Sequence, residues 1–528
     1  MLKYDFLTSL LILPVLYAET HYRFKYFFSW LYKREPEIIV DLPSRVQQTN
    51  TVPFLLIVKD AHRFPIRILD VQISDQGRIL YQKNIDQVID SPYQEMVIDM
   101  DTDLLKIGEN LIDVQVRYNI KKKIRICIND NHRGTSHEPL SVHISAYPLP
   151  RLSNCFYGET HCHTFYTSDQ VEFGASLQNT AELAKVMGFD FYCATDHSYD
   201  LDDQPDNYLA QDPELRKWKL FWQEVEEFNH KDRNFLIIPG EEVTLFNRRG
   251  SNIHCLVYNS RKFYPGSGDG AENWFHTKSE LSVDQLLAQV DHDTLVFSAH
   301  PSDKPPLLQR IFINRGFWEE LDCDSERLDG LQFINDGPPS SMIKGKNLWL
   351  TLLLSGKKLL ALAGNDAHGN FNRFRQIGFP FFTMRENKYH LFGKWRTGVY
   401  LPEGFSLNGI LEAFRQGNCF MTNGPALRFT ALVGQNWRST GGSYKNITKL
   451  KIESLSTPEY SGINSIKIFQ GLHGKKEESI FAQLETPPQQ MHHVWELEFS
   501  KKQHAGYLRT EIMTEAGYQA YSNPIWFL

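Results

Sequence analysis

Between residues 152 and 425 one format recurs: a short apolar run that ends in a histidine- or carboxylate-bearing polar group. "FYGETHCHT" ends in His161 and His163, "FDFYCATDH" in Asp196 and His197, and "FLIIPGEEVT" in Glu241 and Glu242. "TLVFSAHP" ends in His300 and "LLALAGNDAH" in Asp366 and His368, while "SNIHCLVY" sets His254 inside an apolar strand. These runs alternate with helical stretches such as "NTAELAKVMG" and "VDQLLAQV", which predicts parallel β/α structure. In such folds the C-terminal strand ends converge on one face, so groups distant in sequence meet around one pocket.

On a strand, residues i and i+2 share a face, so His161 and His163 can reach one ion while Cys162 points away. Taken alone, the pair is what an ordinary strand edge would show. Repetition changes the reading, because six of the nineteen histidines sit in this format. Gathering so many imidazoles and carboxylates in one buried pocket is costly unless a cation compensates them. The pattern therefore predicts a metal centre, and mixed imidazole and carboxylate donors suit zinc, manganese or iron. Asp196, next to His197, is expected either to orient a ligand or to protonate a leaving group, with orientation the preferred role.

In order and type, H-x-H with a downstream Asp, T-D-H, G-x-E, an in-strand His, A-H-P and a closing D-A-H resemble the PHP (polymerase and histidinol phosphatase) superfamily of metal-dependent hydrolases. The phrases "GETHCHT", "GNDAHGNFNR", "WRTGVYL" and "YSNPIWF" resemble its carbaryl-hydrolase-like branch. The resemblance implies an α/β fold class: a distorted seven-stranded β/α (TIM-like) barrel holding two or three divalent ions. It makes His161, His163, Glu242 and Asp366 ligands of a first ion, and Glu242, His254 and His300 ligands of a second. Asp169, His197 and His368 would hold a third. Asp169 stands one residue further from His161 than in many members and precedes Gln170, so the ion count stays at two or three. The catalytic residues expected on this basis are Asp196 and His197.

Either side of this region the text changes to short alternating runs, such as "TVPFLLIVKD" and "IRILDVQIS" before it and "KLKIESLS" and "HVWELEFS" after it. Such runs, separated by turn residues, predict β-sandwiches. The expected organisation is an apolar, aromatic segment over 1–37, a sandwich over 38–150, the hydrolase domain over 151–425 and a second sandwich over 426–528. A chain of 528 residues with 41% apolar and 23% charged residues is ordinary for a multidomain globular protein. Its net charge of −7 argues against a nucleic-acid partner. Seven scattered cysteines form no disulfide framework and suit a reducing, cytoplasmic setting. The alternative is export, if residues 1–18 with the run "FLTSLLILPVLYA" act as a signal peptide. "YRFKYFFSWLYKR" over 22–34 is suited to peripheral membrane contact or to docking on a neighbouring domain.

The expected activity is metal-dependent hydrolysis of a small-molecule ester, with phosphoesters ahead of carboxyl esters or carbamates. A carbohydrate- or protein-binding protein built on a structural metal barrel is the reading from another class. Arg248, Arg249, Lys304, Arg373 and Arg375 lie near predicted strand ends, where a cation can hold a phosphate. The Gly-rich, aromatic 261–280 segment is expected to act as a lid, and "YDLDDQPDN" over 199–207 as a solvated loop.

Overall fold

The structure is a computed structural model that describes residues 35–528 except 48, 133–134, 168–173, 206, 271–276, 306, 379–382 and 501–503. The expectations for the N-terminal segment therefore fall outside the described residues. Among the described residues no helix is long and apolar enough to cross a membrane.

Alternating strands build the N-terminal unit as a β-sandwich. One sheet pairs Thr51–Lys59 with Glu37–Asp41 and Tyr93–Asp101; the other centres on Gly108–Ile120 and Ile66–Asp75. Phe54, Leu56 and Val58 pack inward against Val71, Ile73, Val114 and Val116. The intervening Leu55 and Ile57 pack outward, with Ile39, against Leu183, Met187 and Phe392 of the middle region. Burial on both faces explains why "PFLLIV" is continuously apolar.

The middle region departs from the expected barrel. Over the chain as a whole strand outweighs helix, 44% against 17%. The strands of this region follow the order 360–363, 330–334, 295–299, 252–258, 236–246, 191–194, 155–163 and 396–400 in one curled sheet. Leu236–Phe246, Asn252–Tyr258 and Leu295–Ala299 pair antiparallel, as do Cys155–His163 and Arg396–Tyr400. A closed seven-stranded β/α barrel does not form, and the physical reason lies in one link. Parallel neighbours need a crossover of a dozen or more residues, whereas Phe246 and Asn252 pair with each other across a turn that ends in the left-handed Gly250. Across its open side the sheet makes only a two-residue ladder, Ala367–His368 parallel to Cys162–His163. Its Leu360–Ala363 edge meets the other side through side chains: Thr160 donates to the Ala363 carbonyl at 3.0 Å, and the Ala363 amide donates to Thr397 Oγ1 at 3.0 Å.

Nor does the sheet stop at residue 425. Cys419–Thr422 pairs with Gln519–Ser522, and the ladder continues through Gly506–Thr514, Ile463–Leu472 and Ser479–Glu485. A second C-terminal sheet around Ala426–Val433 and Ile447–Leu455 covers this extension over a core that includes Phe429, Ile452, Ile466, Ile468 and Ile512. Asn523, from "YSNPIWF", accepts from the Ala361 amide at 2.7 Å and donates to its carbonyl at 3.1 Å. It thereby supplies a partner to the edge strand that leads to Asp366.

Candidate metal centre

The core of the site is two strand ends held together by one carboxylate. His161 and His163 are fully buried on the Cys155–His163 strand. Glu159 on the same strand accepts from the backbone amides of His161 at 3.0 Å, Asn365 at 2.8 Å and Gly393 at 3.2 Å, and from the Asn365 side chain. A Cβ on Gly364 would lie 2.6 Å from the His161 amide nitrogen, so only glycine lets the two segments approach this closely. Asp366 follows with φ +54° and His300 has φ +29°. Two donor-bearing residues thus hold backbone conformations that side chains other than glycine rarely adopt, a strain common at functional sites.

Gln332 sets the first imidazole. Its Nε2 donates to the carbonyls of Ile334 and Gly364, both at 2.8 Å. Its Oε1 must then accept, from the His300 amide at 3.0 Å and from His161 Nδ1 at 3.2 Å. The His161 proton therefore sits on Nδ1 and the Nε2 lone pair faces the cluster.

The atoms around that lone pair have the spacing of a coordination sphere. His161 Nε2 lies 3.2 Å from His163 Nε2, 3.3 Å from Asp366 Oδ1 and 3.5 Å from Glu242 Oε1. His163 Nε2 lies 3.2 Å from Asp366 Oδ1 and 3.4 Å from Glu242 Oε2. Donors held ~2.0–2.1 Å from a tetrahedral ion are ~3.3 Å apart, so these four residues fit such an ion. Beyond them, His254 Nδ1 approaches Glu242 Oε1 at 2.6 Å and His300 Nε2 approaches the same oxygen at 3.0 Å. His197 Nδ1 and Glu242 Oε2 are 3.0 Å apart, yet both are buried with no hydrogen-bond partner among the described residues. A cation shared by the two would satisfy both.

Three groups emerge: His161, His163, Glu242 and Asp366; His197, Glu242 and His254; and His163, His197 and His368. The first matches the expected set. In the second, His197 joins His254, while His300 contacts Glu242 and lies 3.9 Å from Asp366 Oδ2. In the third, the rings of His163 and His368 stack at 4.1 Å. Asp169 lies outside the described residues. Glu242, not Glu241, faces the cluster; Glu241 points away, accepting from Ser198 Oγ and the Tyr264 amide, each at 3.1 Å.

Charge follows the same geometry. Burial opposes ionisation of Glu242 and Asp366, but surrounding imidazoles overcome it and hold both carboxyls well below the usual range. Burial and the neighbouring His163 push His197 down to about 3, leaving it neutral. His163 itself is raised, because Asp366 and Glu242 outweigh its burial. The paired carboxylates call for positive charge between them.

Asp196 takes the orienting position. Its oxygens accept from the Thr164 amide at 2.7 Å, Thr164 Oγ1 at 2.8 Å and the Thr167 amide at 2.9 Å. Thr167 Oγ1 in turn accepts from the His197 amide at 3.2 Å and lies 3.4 Å from His163 Nδ1.

The cluster floors a pocket of about 360 Å³ whose wall includes Tyr199, Asp269, Lys304, Arg315 and Phe317. Of the basic residues singled out from sequence, Lys304 lines it. Arg248 and Arg249 are exposed elsewhere, with Arg249 2.9 Å from Glu319. Arg373 lies 3.4 Å from Glu386, and the Arg375 side chain falls outside the described residues. The 199–207 loop is not simply solvated: Tyr199, Asp202 and Asp203 are buried, and burial lifts the Asp202 carboxyl to about 7. In the described part of the 261–280 segment Ser267 and Asp269 are buried, and Asp269 lines the pocket.

Sequence reasoning passed over Glu159, Gln332, Asp269 and Arg315. The available signals were a polar residue inside an apolar strand, in "GETHCH" and "GLQFIND", and a carboxylate in the Gly-rich "PGSGDG". Arg315 had none.

No family model matches this chain, and no curated protein does. Among solved structures, a β-D-mannosidase from Dictyoglomus thermophilum is 9% identical at a TM-score of 0.25, over 93% of this chain and 66% of that one. A β-glucuronidase from Parabacteroides merdae is 8% identical at a TM-score of 0.20, over 94% and 65%. The chain thus spans slightly less than two thirds of the length of each. Scores this low establish neither a shared fold nor a shared activity.

Proposed function

We propose that this protein is a metal-dependent hydrolase of the PHP superfamily that cleaves small-molecule esters, with phosphoesters as the preferred class. The observation that carries the reading is the coordination-like spacing of His161, His163, Glu242 and Asp366, extended by His197, His254, His300 and His368. Divalent ions held there supply Lewis acidity toward an ester oxygen and make water acidic enough to attack at neutral pH. The chain's own residues prepare that chemistry. Gln332 and Glu159 fix His161, Asp196 fixes the strand ends carrying His163 and His197, and Glu242 is shared among the donor groups. With its oxygens taken by Thr164 and Thr167, Asp196 acts by orientation rather than as a proton donor.

Lys304 and Arg315 in the pocket wall support an anionic substrate. A carboxyl-ester or carbamate substrate is the second reading, favoured by the exposed aromatic rings of Phe317 and Tyr389 in the same wall. Metal analysis of the purified protein, paired with a panel of phosphate mono- and diesters and carboxyl esters, tests both. Bound transition metal with phosphoester turnover is expected. Absence of metal, with no hydrolysis after manganese or zinc addition, would favour the binding-protein reading.

A further inference from the structure

We propose that His390 is a catalytic residue: from the pocket wall, its imidazolium gives the Nε2 proton to the leaving oxygen of the ester as the ester bond breaks. This deepens the hydrolase reading and rests on it.

Five histidines line the pocket, and among the described residues His390 is the one that belongs to no donor group and meets no carboxylate of the cluster. Its backbone stands in the left-handed region at φ +54°, as do Asp366 at +54° and His300 at +29°. Strain of this kind gathers at functional sites. Two asparagines tie His390 to the cluster. His390 Nδ1 lies 3.0 Å from the carbonyl of Asn365, the residue directly before Asp366. Asn365 is itself locked: its side chain donates to Glu159 and to the Trp395 carbonyl, and its Oδ1 accepts from the Trp395 amide at 3.0 Å. Asn370 Nδ2 donates to the His390 carbonyl at 2.6 Å, and Asn370 Oδ1 accepts from the His368 amide at 2.5 Å. The imidazole packs 5.2 Å from the ring of Phe374, which in turn lies 6.3 Å from that of His368.

A carbonyl can only accept, so Nδ1 keeps its proton whether the ring is neutral or charged, and Nε2 is the nitrogen that gains and loses one. Nε2 has no hydrogen-bond partner among the described residues, which leaves it for a group that enters the pocket. The charged groups around the ring are Asp336, which Lys394 approaches at 3.4 Å, and, elsewhere in the wall, Lys304 and Asp303, the latter accepting from Asn335 at 2.6 Å. Imidazole is the side chain best suited to passing protons near neutral pH. In the step itself the oxygen of the attacking water bonds to phosphorus. The bond from phosphorus to the leaving oxygen breaks, and its electron pair stays on that oxygen. The leaving oxygen takes the Nε2 proton, so the product departs as an alcohol or phenol. The imidazole is left neutral, and the proton shed by the attacking water returns to it through solvent.

The test compares wild type with His390→Asn in the full chain loaded with manganese or zinc. The substitution keeps a donor for the Asn365 carbonyl and a side chain that tolerates the left-handed backbone, while removing Nε2. The substrates are phenyl phosphate, whose leaving oxygen needs a proton, and para-nitrophenyl phosphate, whose leaving oxygen departs without one. In the variant kcat/KM is expected to fall ~10²–10⁴-fold on phenyl phosphate and at least ~tenfold less on para-nitrophenyl phosphate, with metal content equal to wild type. Equal losses on the two esters, or no loss on phenyl phosphate, would overturn the proposal. A readout without turnover is nitrogen-15 NMR of the metal-free, histidine-labelled full chain, with the His390 signals found by their loss in His390→Asn. A proton on Nδ1 of the neutral ring is expected, and a proton on Nε2 alone would overturn the proposal. If loaded wild type cleaves neither ester, the hydrolase reading falls and takes this step with it; if wild type cleaves both and the losses are equal, this step alone falls.

Discussion

The Nε2 atoms of His161 and His163 stand 3.2 Å apart, each also within 3.5 Å of Asp366 and Glu242. The strand that carries both imidazoles pairs at its end with Ala367–His368, directly after Asp366. That contact makes metal binding and folding one equilibrium. Zinc or manganese at roughly one hundred times its dissociation constant should add about 2.7 kcal/mol to the unfolding free energy. Glu242→Gln, which removes the shared ligand, should abolish that increment. Thermal unfolding with and without chelator measures both.

Glu159 predicts a change that acts through the backbone. Replacing it by Gln turns one acceptor oxygen into a donor that faces N–H groups of His161, Asn365 or Gly393. Unsatisfied buried donors should cost roughly 2 kcal/mol. Urea denaturation of metal-free Glu159→Gln should show this loss, and metal titration should show weaker binding at the first ion.

Lys304 is exposed in the pocket wall and belongs to none of the donor groups among the described residues. Lys304→Ala should therefore leave metal content unchanged and raise KM for an aryl phosphate by roughly three- to tenfold, less at high salt. A carboxyl ester should show no such change. Steady-state kinetics at two salt concentrations decides it.

Asp329 gives a pH dependence remote from the metal centre. It accepts from the Val296 amide at 2.7 Å, and burial raises its carboxyl to about 6. Because the folded value exceeds the unfolded one, the folded chain holds the proton more tightly. The stabilisation is complete below the unfolded value and is lost as pH rises through about 6. Asp329→Asn keeps an acceptor without the buried charge. It should raise stability by roughly 1–2 kcal/mol at about pH 7.5 and by little at about pH 4, as read from melting curves at both.

Most of the donor residues were legible in the sequence because they follow or close an apolar run, and a polar group at the end of a buried run announces a convergent pocket; His254 and Glu242 stand inside their strands. Gln332 was not legible, since its role depends on which imidazole lies opposite and on which nitrogen it presents. The barrel expectation came from reading strand and helix alternation alone. It missed that Phe246 and Asn252 are too near in sequence to be parallel neighbours, which the length of "NRRGS" already implied. "TVPFLLIVKD" reads as one alternating run of a sandwich; its unbroken apolar centre reflects a second buried face, which the middle region supplies.

Asn523 closes the edge of the strand that leads to Asp366, and it stands 162 residues further along the chain than the edge residue Ala361. During synthesis the metal donors emerge from the ribosome long before the residue that braces them. The centre is therefore not fully braced until Asn523 has emerged, and a ribosome that stalls between Asp366 and Asn523 yields a chain with both partners of the first strand end and no brace.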